Sequence, residues 1–230
     1  MSRFLKSIII LLLTATAGSA VLQAQTHYSS NVSLGVKGGV ETSRIFFNPA
    51  VQQGLPFGAT AGLMFRYIEE SHFGLVAECN FAQRGWKNTF EETDYKYRRT
   101  VNYIEVPVLA HIYFGRRGRF FANVGPQVGF MIGESTSKNF DPDKIQSLPD
   151  FPFKNSENAE LTTPAQNKVD FGISAGLGGE FSINRRNAVA IEARFYYGIG
   201  NLFHAGRRDP FRASNSMAIS VTAGYWFRIK

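Results

Sequence analysis

The sequence predicts an all-β fold: an eight-stranded antiparallel up-and-down transmembrane β-barrel preceded by a cleaved signal peptide. Three observations lead there. Apolar and polar residues alternate with a period of two, the mark of a strand with two unlike faces. The apolar faces are free of charge, whereas the opposite faces carry ions of both signs. Short and long connections alternate along the chain, as in a barrel whose two rims face different compartments.

The N-terminus supplies the compartment. Arg3 and Lys6 form a positive region, Ile8 to Leu13 an apolar core, and Ala15, Ala17, Gly18, Ser19 and Ala20 a stretch of small residues. The apolar run is far shorter than the ~20 residues of a spanning helix, so it reads as an export signal. Cleavage after Ala20 and after Ala24 both fit; the second would leave Gln25 first. The expected organisation is a signal peptide over 1–24 and one barrel domain over 25–230, with a long outer loop at 134–167.

Composition agrees with this class. The chain of 230 residues has 21 Phe and 9 Tyr, enough for aromatic girdles. Cys79 is the single cysteine, which excludes an intramolecular disulfide framework, and it does not follow the signal as a lipid-anchored cysteine would. The net charge of +7 is spread along strands and turns, and with export this argues against a nucleic-acid partner.

The predicted strands are Val32–Glu41, Phe57–Glu69, Phe73–Gly85, Tyr97–Gly115, Arg119–Gly133, Lys168–Ile183, Ala188–Gly200 and Ser216–Ile229. Each is long enough to cross a bilayer as a tilted strand, which takes ~9–11 residues. In the second, Ala59, Ala61, Leu63, Phe65 and Tyr67 alternate with Thr60, Gly62, Met64 and Arg66. The third sets Phe73, Leu75, Ala77, Cys79 and Phe81 against Gly74, Val76, Glu78, Asn80 and Arg84. The sixth, seventh and eighth repeat the pattern. A lysine or arginine on the apolar face would cost about 2–4 kcal/mol near the bilayer midplane, which accounts for its absence there.

Tight turns at Glu70–His72, Gly115–Gly118 and Asn184–Asn187 are expected to face the periplasm with both termini. The longer connections Thr42–Pro56, Trp86–Lys96, Glu134–Asn167 and Asn201–Asn215 would face outward. Phe140, Phe151 and Phe153 either anchor the longest loop to the rim or contact a partner. A soluble β-sandwich also alternates, but it has no reason to sort its loops by length, nor to crowd its polar faces with glycine.

The inward faces collect Lys37, Arg66, Arg84, Arg194 and Arg228 against Glu78, Glu105, Asp170, Glu180 and Glu192. Eight strands leave an interior just wide enough for side chains, and charges held there must pair. The prediction is a closed lumen zipped by ion pairs, with partners for Glu192 and Arg194 on neighbouring strands. A proton or small-ion path through the same groups is the alternative. His111 falls inward as a hydrogen-bonding group, and Pro107 calls for a bulge beside Glu105, because proline removes a ladder donor.

No cofactor is implied. There is no Cys/His cluster with zinc spacing, no phosphate-binding glycine loop and no calcium loop. His204, Asp209 and Ser214 share the fourth long loop, which keeps a lipid-modifying enzyme at the rim as an alternative, although spacing alone does not build a triad.

The run Tyr103–Leu109 (YIEVPVL) resembles a strand of the PorT-type outer-membrane β-barrel family of the Bacteroidetes. Gly125–Gly129 (GPQVG) is similar to that family's following strand, Asp170–Gly178 (DFGISAGLG) to a later one, and Gly35–Gly39 (GVKGG) to its first. The resemblance implies the same barrel in a Gram-negative outer membrane. Because the founding member serves type IX protein secretion, the resemblance also implies, as the alternative function, an accessory role in secretion or surface assembly. The expected function is a small non-enzymatic barrel, structural or partner-binding through its outer loops. Its expected partners are outer-membrane lipid and other cell-envelope or secretion proteins.

Overall fold

Alternating sequence closes into a ring. The computed structural model describes residues 30–68, 70–88, 90, 93–149, 151, 159–206 and 209–229. The signal peptide expected over 1–24 lies outside them. The strands are β1 (Asn31–Asn48), β2 (Gln53–Gly54), β3 (Phe57–Ile68), β4 (Phe73–Asn88), β5 (Tyr97–Gly115), β6 (Gly118–Lys138), β7 (Val169–Ser182), β8 (Asn187–Asn201) and β9 (Ala213–Arg228). Every pairing is antiparallel. The order β4-β3-β1-β9-β8-β7-β6-β5 closes through β4–β5. The two-residue β2 only extends the end of β4, so the barrel proper has eight strands.

Asn31, Ile68, Phe73, Gly115, Gly118, Ser182, Asn187 and Arg228 gather at one rim, so the ends of the barrel strands and the short turns share it. The long connections share the other. β5 and β6 run 19 and 21 residues, about twice the ~9–11 a tilted membrane strand needs. The surplus stands beyond the long-loop end of the apolar belt.

Strands that project on one side are expected from the sequence, and β5 has the bounds expected for it, but other strands project farther than expected. β1 continues seven residues past Glu41, β6 five past Gly133, and β9 starts at Ala213 instead of Ser216. The reason is a switch of faces within single strands. Along β1, Leu34, Val36 and Val40 point out and Lys37 and Glu41 in; farther on, Ile45 and Phe47 point in and Arg44 points out. β5 does the same: Tyr97, Val101 and Tyr103 lie inside with Arg98 outside, whereas Glu105 and His111 lie inside with Val106 and Val108 outside. Lipid selects apolar residues on the outer face within the bilayer. Beyond it water selects the reverse, and the barrel wall becomes an ordinary amphipathic sheet.

The bulge predicted beside Glu105 is absent. Pairing of β4 with β5 stops at Ala77↔Val108 and resumes at Asn80↔Glu105 in the same register, so the ladder skips Pro107 without inserting a residue. The register shift falls instead between Asn102 and Tyr103 against β6, where the two faces exchange roles.

Two buried apolar clusters follow from this layout. The smaller lies inside the membrane-spanning part near the short-turn rim and includes Met64, Ile68, Val76, Leu109, Tyr113 and Trp226. The larger fills the projecting end and unites strand residues (Phe47, Trp86, Tyr97, Tyr103) with loop residues (Phe140, Phe151, Leu161, Phe203, Phe211).

Candidate functional site: a charged lumen under a packed cap

The lumen charges form three clusters, read from the short-turn rim. In the first, Arg66 on β3 pairs with Glu180 on β7, four strands away around the ring and therefore across the interior. Arg119 approaches the same carboxylate at 3.4 Å, and the Arg66 guanidinium stacks 4.3 Å over Trp226. In the second, Glu78 on β4 accepts from Lys37 Nζ at 2.6 Å, from both terminal nitrogens of Arg194 at 2.7 and 2.8 Å, and from Asn80 at 2.8 Å. Arg194 also reaches Glu192 at 2.7 Å, and Glu192 in turn accepts from Asn123 at 2.8 Å. In the third, Arg84 meets Glu41 at 2.7 Å, Glu105 at 2.6 Å and Asp170 at 3.5 Å, with its guanidinium 4.0 Å over Tyr196.

The sequence-predicted residues thus fall as follows. Lys37, Arg66, Glu78, Arg84, Glu105, Asp170, Glu180, Glu192 and Arg194 are all buried inside the barrel. Arg228 is only half-buried and lines a small recess at the short-turn rim with Arg66, Glu180, Arg185 and Arg186. Partners for Arg194 do not come from adjacent strands, as expected, but from its own strand and from β4 on the opposite wall. Glu41 was missed. It shares the parity of Lys37 but stands at the last residue of the predicted strand, where facing was weakly defined. Asn123, Gln127 and Ser174 also complete the interior. Gln127 donates to Glu105 at 2.9 Å and accepts from Ser174 at 2.6 Å. His111 Nδ1 lies 2.7 Å from Asn123.

Charges of this density fit because the wall yields space. A Cβ on Gly35 would come within 2.8 Å of the Trp226 ring, and one on Gly178 would strike Phe121. Among the described residues a cavity of about 20 Å³ lies between the first and second clusters and another of about 20 Å³ between the second and third. Each holds about one water molecule.

Above the third cluster the long connections fold into a cap. Phe47, Trp86, Phe203 and Phe211 pack with ring centroids 4.7–6.1 Å apart. Phe90, Tyr95, Phe140 and Phe151 form a second set at 5.2–5.7 Å. Phe140 and Phe151 therefore anchor the longest loop; Phe153 and Lys154 lie outside the described residues. Polar groups lock the loop down: Arg99 donates to the carbonyls of Leu161 (3.2 Å) and Thr163, Tyr97 to that of Leu161 (3.1 Å), and Asn88 to buried Glu160 (2.8 Å). Neither Arg99 nor Glu160 was singled out in the sequence.

Two of the three rim residues of the enzyme alternative are engaged elsewhere. Ser214 is buried, and its hydroxyl accepts from the Phe203 amide at 2.9 Å. Asp209 accepts from the Gly206 amide at 2.7 Å, and His204 is exposed. Among the described residues no group of three His, Cys, Asp or Glu side chains is placed to hold a metal.

A ring of antiparallel strands, apolar outside and ionic inside, defines a small outer-membrane β-barrel. Residues 23–204 match the family described as outer membrane protein beta-barrel domain, and the chain belongs to that family. No curated protein matches the sequence. Among solved structures, the chain is similar to Neisserial surface protein A, at 10% identity over 87% of this chain and 99% of that one with a TM-score of 0.46. It is similar to OprG of Pseudomonas aeruginosa at 12% identity over 89% and 99%, with a TM-score of 0.45. The attachment invasion locus protein Ail of Yersinia pestis, solved with the heparin analogue sucrose octasulfate, shows 15% identity over 85% and 99%, with a TM-score of 0.43.

Proposed function

We propose that this outer-membrane barrel is not an enzyme and not a pore: its lumen is a structural core, and its capped outer end presents a surface to partners of the cell envelope. The observation that carries the reading is the lumen itself, where, among the described residues, ion pairs span the interior and the cavities between their clusters measure about 20 Å³. In this reading the short turns and both termini face the periplasm, and the cap faces outward. Support comes from the loop lengths and from the packing of the long connections into one apolar cluster. The described parts of these connections are held by that packing, and recognition concentrates on loops held by a rigid scaffold.

A PorT-type accessory role in protein secretion or surface assembly is the second reading. The same cap favours it, since a docking component needs a defined outer face. Against a rim enzyme stand the other partners of Ser214 and Asp209.

A deletion strain separates the readings. A structural or partner-binding barrel leaves lipid A and phospholipid composition unchanged and leaves secreted cargo in the medium. Loss of cargo export would establish the accessory role, and altered lipid A or phospholipid would overturn the non-enzymatic reading.

A further inference from the structure

The membrane-facing belt is not uniformly filled. A groove of about 580 Å³ opens on the outer wall at the short-turn rim, crossing β6 to β9. Its walls are Phe120, Phe181, Val189 and Ile191, all exposed, and its floor includes Gly179 and Ala223. The registers explain the shape. Phe120 pairs with Gly179, Gly179 with Ile191, and Ile191 with Ala223, so a missing side chain at 179 leaves a dent between two large ones.

Nothing in the barrel requires that dent. A Cβ on Gly179 would meet no atom nearer than the Arg119 carbonyl oxygen at 4.0 Å, and one on Gly118, at the mouth, would meet nothing within 4 Å. Inward glycines such as Gly178 are in a different position, since a Cβ there collides with the core. The volume lies within the ~300–1,000 Å³ of sites that hold small molecules.

Cations stand at the mouth. Arg116 and Arg117 occupy the turn before the groove, whereas Arg119, which borders it, turns its guanidinium inward to Glu180. The neighbouring turn carries Arg185 and Arg186, and the Ser182 amide donates to the Arg117 carbonyl at 2.9 Å, holding the two turns together. Arg116, Arg117, Arg185 and Arg186 are exposed and make no ion pair among the described residues. An apolar slot within the bilayer leading to a cationic rim is complementary to one molecule type, an amphiphile with an anionic head.

We propose that this groove binds an anionic phospholipid of the periplasmic leaflet, with an acyl chain lying over Gly179 between Phe120 and Ile191 and the phosphate at the arginine turns. The choice of leaflet rests on the orientation given above; retention and headgroup preference do not, because both are read in detergent. A second copy of the chain is disfavoured as occupant, since a symmetric contact here would bring two arginine rims together.

Native mass spectrometry of the refolded full barrel in mild detergent, with phosphatidylglycerol or phosphatidylcholine added, tests this. The expected result is one retained lipid per barrel, with phosphatidylglycerol preferred roughly fivefold or more, the scale of even a single arginine beside an anionic surface. Gly179→Leu, which fills open space, should abolish retention of both lipids while the barrel keeps its folded gel mobility. Replacing Arg116, Arg117, Arg185 and Arg186 together by Ser should remove the preference and leave weak, equal retention. If Gly179→Leu does not fold, Ala223→Leu reads the same groove from its other end. Equal retention of the two lipids by the unaltered protein, preference for lipid A over phosphatidylglycerol, dimers in place of lipid, or undiminished retention in the filled variant would each overturn the proposal.

Discussion

Arg194 and Glu78 face one another across the lumen in a two-pronged contact, Nη1 to Oε2 at 2.7 Å and Nη2 to Oε1 at 2.8 Å, although 116 residues separate them in the chain. Three strands lie between β8 and β4 in either direction around the ring. The pair therefore ties opposite walls together, and with Lys37 on the same carboxylate it makes Glu78 the hub of the interior.

This hub sets an order of stabilities. Glu78→Ala leaves two buried cations, Lys37 and Arg194, short of their main partner, and breaking a buried pair from one side costs about 3–5 kcal/mol. Glu192→Ala should cost less, because Arg194 keeps Glu78. Urea unfolding of the two variants in lipid vesicles, followed by the gel mobility of the folded form, measures the order. Equal and negligible losses would mean that the lumen is hydrated enough to solvate the charges.

Cys79 tests the outer face. It is exposed and stands between Ala77 and Phe81 on the apolar side of β4, paired with Leu63 on β3. In vesicles it should resist a charged, membrane-impermeant maleimide and react fully once the barrel is unfolded in urea. Rapid labelling in intact vesicles would place this face in water.

Much of this was legible in the sequence, and the reason is the period of two. Lipid outside and a narrow polar lumen inside both discriminate strongly between neighbouring residues, so Leu63, Glu78 and Arg194 declare their sides. Legibility failed where that discrimination changed sign. Ile45 and Phe47 point inward beyond the bilayer, so the outward-apolar rule ends β1 too soon, although the strand continues. Glu41 lay at that transition and was lost with it. The cap was also hidden, because the contacts of Phe140 and Phe151 with Phe90 and Tyr95 join different connections and have no local period.

The cap should be separable from the barrel. Phe203, 1% exposed, touches Phe47, Trp86 and Phe211. Phe203→Ala removes a buried ring, at a cost of about 3–5 kcal/mol in a well-packed core. Because this cluster stands beyond the apolar belt, the expected effect is new protease cleavage in the long connections with the membrane-embedded strands still protected. Loss of the folded barrel itself would show that the cap and lumen are one cooperative unit.

Orientation is checked on intact cells. A tag inserted beside Lys144, exposed in the longest connection, should be labelled without permeabilisation, and one at Arg185–Arg186 should not. Labelling at the arginine turn alone would invert the topology.

The closed lumen is the central claim, and planar-bilayer recording of the refolded protein tests it most directly. Ion pairs that span the interior and cavities of about 20 Å³ predict no stable large conductance under an applied voltage. A sustained porin-like current from a single barrel would contradict the account.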